Sequence, residues 1–161
     1  MKIAIILAVF IFFSPIVSIG QNKIDKKQIS GDWQKNCNGE SGRISIFPNI
    51  DTAVIEVNSN QIVIMTKCRQ LEANNHIIVY FKLIKPIDLG EGGMGLSWKD
   101  FSKDSVIAKM EITGTSQAKI TWYGFYNKQL KKRVWTNGFD ILSGNGNNQA
   151  LIKKCNDFIR G

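Results

Sequence analysis

The sequence predicts an all-β fold: an antiparallel barrel or sandwich of about seven or eight short strands with one C-terminal α-helix. Three observations carry this. After Gly31, apolar residues recur with period two over most of the chain, the mark of half-buried strands. Turn signals such as Asn58-Ser59-Asn60 and Gly114-Thr115-Ser116 separate the alternating segments. Only the last segment, 149–160, has apolar residues at helical spacing: Leu151, Ile152, Cys155, Phe158 and Ile159. Closure into a barrel is attractive because it removes exposed strand edges.

Residues 1–20 read as a secretory signal peptide. Lys2 precedes an apolar run from Ile3 to Phe13, Pro15 breaks the run, and Ser18 and Gly20 are the small residues before a cut at Gly20–Gln21. The run is too short for a stable membrane anchor, which needs about 20 apolar residues. The first cysteine is Cys37, so no lipid-anchoring cysteine follows the cut. These features predict a secreted or periplasmic protein. Residues 21–30 are polar and read as a flexible lead-in, and 31–161 read as a single β-rich domain.

The strands then follow in order. Arg43–Phe47 places Ile44 and Ile46 on one face, and Thr52–Asn58 places Ala53, Ile55 and Val57 inward. The turn at 58–60 leads into Gln61–Arg69, which makes a hairpin. His76–Lys85 presents Ile77, Val79, Phe81 and Leu83. Pro86–Lys103 reads as a Gly-rich loop with one helical turn near Trp98–Ser102. Ser105–Thr113 directs Val106, Ala108, Met110 and Ile112 inward, and Gln117–Tyr126 and Lys132–Thr136 follow. Ser143–Asn148 is a loop, and Asn147 or Asn148 is placed to cap the helix over 149–160.

The full chain has a formal charge of +8; cleavage removes only Lys2 and leaves +7 on the mature side chains. Such a charge favours acidic partners. Cys37, Cys68 and Cys155 all lie in the mature part. Export favours a disulfide, and an odd count leaves one thiol over. Sequence does not choose the pairing; Cys37–Cys68 is slightly preferred, with Cys68–Cys155 next.

No catalytic constellation is recognisable, and the expectation is a non-enzyme without cofactor or metal. Gly90-Glu91-Gly92-Gly93-Met94-Gly95 matches G-x-G-x-x-G in form, but no long helix follows, and the dinucleotide motif requires one. His76 is the only histidine and follows Asn74-Asn75, an ordinary place for an exposed turn residue. No serine sits in a nucleophile-elbow motif, and no cysteine–histidine spacing suits zinc. Carboxylates such as Asp100 and Asp104 stand in loops, with nothing to mark a glycosidase pair.

The most suggestive local feature is Trp122-Tyr123-Gly124-Phe125-Tyr126, followed by Lys128, Lys131, Lys132, Arg133 and Trp135. Read as one alternating strand, it places Trp122 and Tyr126 on one face and Tyr123 and Phe125 on the other. Exposed aromatics beside Arg and Lys suit contact with protein, sugar or bases. The candidate binding residues are Trp98, Tyr123, Phe125, Lys131, Lys132, Arg133 and Trp135. Without a known nucleic-acid module, nucleic acid is disfavoured as a partner for this cluster.

Gly31-Asp32-Trp33, at the first strand of an exported chain of this size, resembles the G-x-W start of lipocalin-like (calycin) barrels. The resemblance implies that Trp33 closes one barrel end and that a late arginine, Arg133 or Arg160, packs over it. The C-terminal helix and Cys155 are also similar to that family. It further implies the alternative function, a carrier of a small apolar ligand. In format, the chain is similar to small periplasmic lysozyme inhibitors and immunity proteins, though it carries none of their motifs. A +7 protein repels basic lysozymes at long range. The function expected from the sequence is therefore an exported, non-enzymatic protein that masks or inhibits an acidic toxin or enzyme.

Overall fold

The computed structural model describes residues 26–38, 42–58, 61–73, 76–143 and 147–155. The predicted leader, its cut site, Arg160 and the last residues of the expected helix lie outside them. The strands are β1 (Gly31–Gln34), β2 (Arg43–Ile46), β3 (Thr52–Asn58), β4 (Ile62–Ala73), β5 (His76–Leu89), β6 (Val106–Ile112), β7 (Gln117–Trp122), β8 (Phe125–Asn127), β9 (Lys132–Val134) and β10 (Gln149–Cys155). Eight of them close into a barrel in the order β1-β10-β7-β6-β5-β4-β3-β2, while β8 and β9 pair as a separate hairpin. Neighbours in the barrel are all antiparallel.

Alternation fills the interior. Ile44, Ile55, Ile62, Ile64, Val79, Phe81, Met110, Ile120 and Trp122 are all fully buried, and their apolar surface supplies the main driving force for folding. An eight-stranded barrel has an interior that side chains can fill. One inward assignment fails. Val106 is half-exposed and Ile107 is buried instead. The cause is a β-bulge: Phe81 pairs with Ala108 and Lys82 with Val106, so Ile107 has no partner on β5. An extra residue in one strand shifts the phase of alternation. β5 is also longer than its predicted end at Lys85, running to Leu89 opposite Ile62. The remaining loop holds a helical turn, α2 (Glu91–Met94), and a 3-10 turn at Trp98–Asp100.

The C-terminal segment corrects the sequence reading. Gln149–Cys155 is a strand, β10, and not the start of a helix. Ala150 and Ile152 point inward, whereas Leu151 is 73% exposed. β10 pairs with both β1 and β7. Without it, both would be open edges, and satisfying those backbone groups outweighs local helical spacing. The expected strand at Lys132–Thr136 correspondingly shrinks to β9, outside the barrel.

Neither favoured cysteine pairing forms. The disulfide joins Cys37 to Cys155, with Cα atoms 5.5 Å apart and 118 residues of separation. Alternation explains the choice. Cys68 follows the buried Ile62, Ile64 and Thr66 into the core, while Cys155 stands opposite Asp32, on the other face from Ala150 and Ile152. A thiol inside the barrel does not reach the sulfurs outside it. Cys68 is thus the free cysteine, and burial pushes its thiol pKa up to about 12.

The lead-in is ordered at its end. Lys26–Ile29 forms a helical turn, α1, and Ile29 is fully buried. The Trp33 indole N–H donates to the Ile29 carbonyl at 2.9 Å, and Gln28 Nε2 donates to the Gly114 carbonyl in the β6–β7 turn. Trp33 and α1 are thereby joined to each other and to the β6–β7 turn next to the start of β1. Gly31 between them has φ +115°, a conformation that only glycine adopts without strain.

Candidate functional site

The chain leaves the barrel at Trp122 and returns at Gln149. Gly124 makes the departure possible. Its φ is +77°, and a Cβ there would lie 2.4 Å from the Val134 carbonyl oxygen. This kink ends β7 and resets alternation, so Phe125 falls on the same side as Trp122. Phe125 is fully buried, which removes it from the predicted contact surface. It stacks on Phe101 (centroids 5.1 Å) and meets Trp98 and Trp122 edge-on at 5.3 and 5.5 Å. Trp98 is half-buried in this cluster, and its indole N–H donates to the Gly93 carbonyl at 2.8 Å. It fastens the 90–101 loop to the core.

The β8–β9 hairpin carries the exposed cations. Asn127 Oδ1 accepts the backbone N–H groups of Gln129 and Leu130, both at 2.9 Å. The tip then presents Lys131, Lys132 and Arg133 to solvent. Arg133 does not pack over Trp33, as the resemblance implied. Its Nη1 donates to the carbonyls of Val106 and Gly124, both at 2.9 Å, and its guanidinium lies 5.5 Å from the centre of the Tyr123 ring. Trp135 is half-buried; its carbonyl accepts the Trp122 indole N–H at 2.7 Å. Of the predicted residues, the structure brings Tyr123 and Arg133 into contact, leaves Lys131 and Lys132 free-standing at the tip, and commits Trp98, Phe125 and Trp135 largely to packing.

From Arg133 the polar surface continues across the barrel wall. Val106, whose carbonyl Arg133 holds, pairs with Lys82. Lys109 pairs with Tyr80 and bonds Glu111 at 2.5 Å. That hydrogen bond raises the Lys109 pKa and lowers that of Glu111. Tyr80 is in turn opposite Arg69. The outer wall therefore presents alternating cations and tyrosines from β4 to the hairpin.

This wall contains a feature the sequence reading missed. A surface cavity of about 430 Å³ is lined by Lys67, Arg69, Lys82, Leu83, Ile84, Lys103 and Asp104. Lys67 on β4 stands directly opposite Lys82 on β5. Outward alternation of Lys67 and Arg69 is visible in sequence, but their register against Lys82 and the approach of Lys103 are not.

His76 is exposed at the start of β5, across from Ala73. Among the described residues, no group of three or more His, Cys, Asp or Glu side chains is placed to hold a metal ion. Compared with known proteins, the chain matches no family model, no curated protein and no solved structure.

Proposed function

We propose that this is an exported, non-enzymatic binding protein of the periplasm or exterior that masks an acidic protein, such as a toxin or enzyme. The observation that carries this reading is the basic, tyrosine-bearing outer wall that ends at the Lys131-Lys132-Arg133 hairpin tip. Arg and Tyr are favoured at protein–protein contacts. Arg133 is held by two carbonyls, so little of its conformational freedom remains to be lost on binding. A mature charge of +7 steers acidic partners toward such a surface. The disulfide is compatible with export.

The alternative is the carrier of a small apolar ligand. The barrel interior is occupied by large buried side chains, including Trp33, Phe81, Met110 and Trp122, which favours the outer surface as the working one. The two separate in one preparation. Solvent extraction of denatured protein yields a stoichiometric apolar molecule if the barrel is a carrier. Immobilised mature chain retains one acidic protein in a salt-sensitive manner if the outer wall is the site.

A further inference from the structure

The cavity on the β4–β5 wall has the construction of an anion site. Its lining sets four cations, Lys67, Arg69, Lys82 and Lys103, against one carboxylate, Asp104. Among the described residues, none of the four cations takes part in a salt bridge. Lys67 and Lys82 are direct cross-strand partners, an arrangement that destabilises a sheet through like-charge repulsion. A bound anion would relieve it.

Local backbone irregularities converge on the same place. β5 carries a bulge at Ile84, since Leu83 pairs with Thr66 and Lys85 with Met65. β6 carries the bulge at Ile107, next to the Lys82–Val106 pair. Bulges re-aim side chains and are frequent beside functional sites. The β5–β6 pairing ends at Lys82, so the wall opens where Leu83 and Ile84 line the cavity. The loop that carries Lys103 and Asp104 is held by Ser102. Its Oγ accepts the N–H groups of Asp104 and Ser105 at 3.2 and 3.1 Å, and its own N–H donates to the Tyr126 carbonyl at 2.9 Å.

We infer that this cavity binds a small organic phosphate monoester, with the phosphate between Lys67, Arg69, Lys82 and Lys103 and an apolar part against the half-buried Ile84. A phosphate monoester carries close to two negative charges at neutral pH, enough to neutralise the opposed lysines. Lysine and arginine both donate charge-assisted hydrogen bonds to phosphate oxygens. The volume, about 430 Å³, falls in the range of small-molecule sites and exceeds what a bare anion fills. The inference does not rest on a protein partner at the hairpin tip, although Arg69 and Lys82 also belong to the outer wall described above.

The test is a ¹H–¹⁵N NMR titration of the mature chain with phenyl phosphate, inorganic phosphate and phenol at constant ionic strength. Phenyl phosphate produces saturable shifts at Lys67, Arg69, Lys82–Ile84 and Lys103. Inorganic phosphate moves the same amides more weakly, and phenol leaves them in place. The double variant Lys67→Met/Lys82→Met weakens binding at least about tenfold, whereas Lys131→Met/Lys132→Met leaves it within about twofold. Lys103→Met, on a loop outside the sheet, also weakens it and serves if the double variant does not fold. Absence of saturation, or equal weakening by the hairpin variant, overturns the site. Phosphatidylglycerol vesicles that shift these amides more strongly than phenyl phosphate overturn a soluble ligand.

Discussion

The guanidinium of Arg133 lies 5.5 Å from the centre of the Tyr123 ring, while one of its nitrogens holds the carbonyls of Val106 and Gly124. The hairpin is thereby fastened to the barrel wall by the side chain that also presents charge to solvent. Arg133→Ala is expected to cost little stability, about 1 kcal/mol or less, because the site is exposed. Binding to an acidic partner should weaken about tenfold or more. Arg133→Lys should restore only part of it, since an ammonium lacks the planar fork. Thermal unfolding and titration calorimetry on the three proteins check both statements.

Gly124 is the conformational hinge of the excursion. Gly124→Ala brings a Cβ to 2.4 Å from the Val134 carbonyl oxygen at φ +77°. A loss of about 2 kcal/mol or more is expected, since strain at positive φ adds to a backbone clash. Urea unfolding measures it, and intrinsic fluorescence should report loosening around Trp122 and Trp135.

The Cys37–Cys155 bond joins residues 118 apart in sequence and ties the segment after β1 to β10, beside the seam that closes the barrel. Cys37→Ser/Cys155→Ser should lose about 2–5 kcal/mol by removing a long-loop constraint from the unfolded chain. Cys68→Ser tests a different term, a buried thiol beside the Thr66 hydroxyl replaced by a second hydroxyl. Peptide mapping under non-reducing conditions should find the 37–155 link and leave Cys68 free.

The Cys68 thiol is pushed up to about 12 by burial. An acid whose folded pKa is raised binds more protons in the folded state than in the unfolded one. Stability therefore falls as pH rises above the unfolded value near 9 and continues to fall toward about 12. The slope approaches about 1.4 kcal/mol per pH unit for this one group. At neutral pH the term is absent. Comparing stability between pH 8 and 10.5 in the native chain and in Cys68→Ala isolates it; the variant should lack this component. Thiol reagents should find no reactive cysteine in the folded protein at pH 8 and one after unfolding.

Much of the barrel was legible in the sequence because period two survives wherever one strand face is buried. Ala53, Ile55 and Val57, or Val79, Phe81 and Leu83, fall inward as read. The misreadings share one physical origin, which is that pairing partners are non-local. Leu151 and Ile152 are compatible with a helix until β1 and β7 are known to need a neighbour. Val106 and Ile107 exchange roles only because of a bulge against β5. Phe125 falls inward because Gly124, at φ +77°, interrupts the alternation that the run of aromatics implies. The hairpin cations were legible as a run, Lys131-Lys132-Arg133. The opposed Lys67 and Lys82 were not, because only register brings them together.

Binding of an acidic protein to the basic outer wall can be measured directly. The direct measurement is retention of native-extract proteins on immobilised mature chain, beside a charge-reversed variant, Lys131→Glu/Lys132→Glu/Arg133→Glu, with identification by mass spectrometry. One acidic protein should be held by the native chain and not by the variant. Raising salt from about 0.05 to about 0.5 M, where screening lengths shrink to a few ångströms, should release it. Retention of no protein, or of a partner held equally by the variant and at high salt, would contradict it.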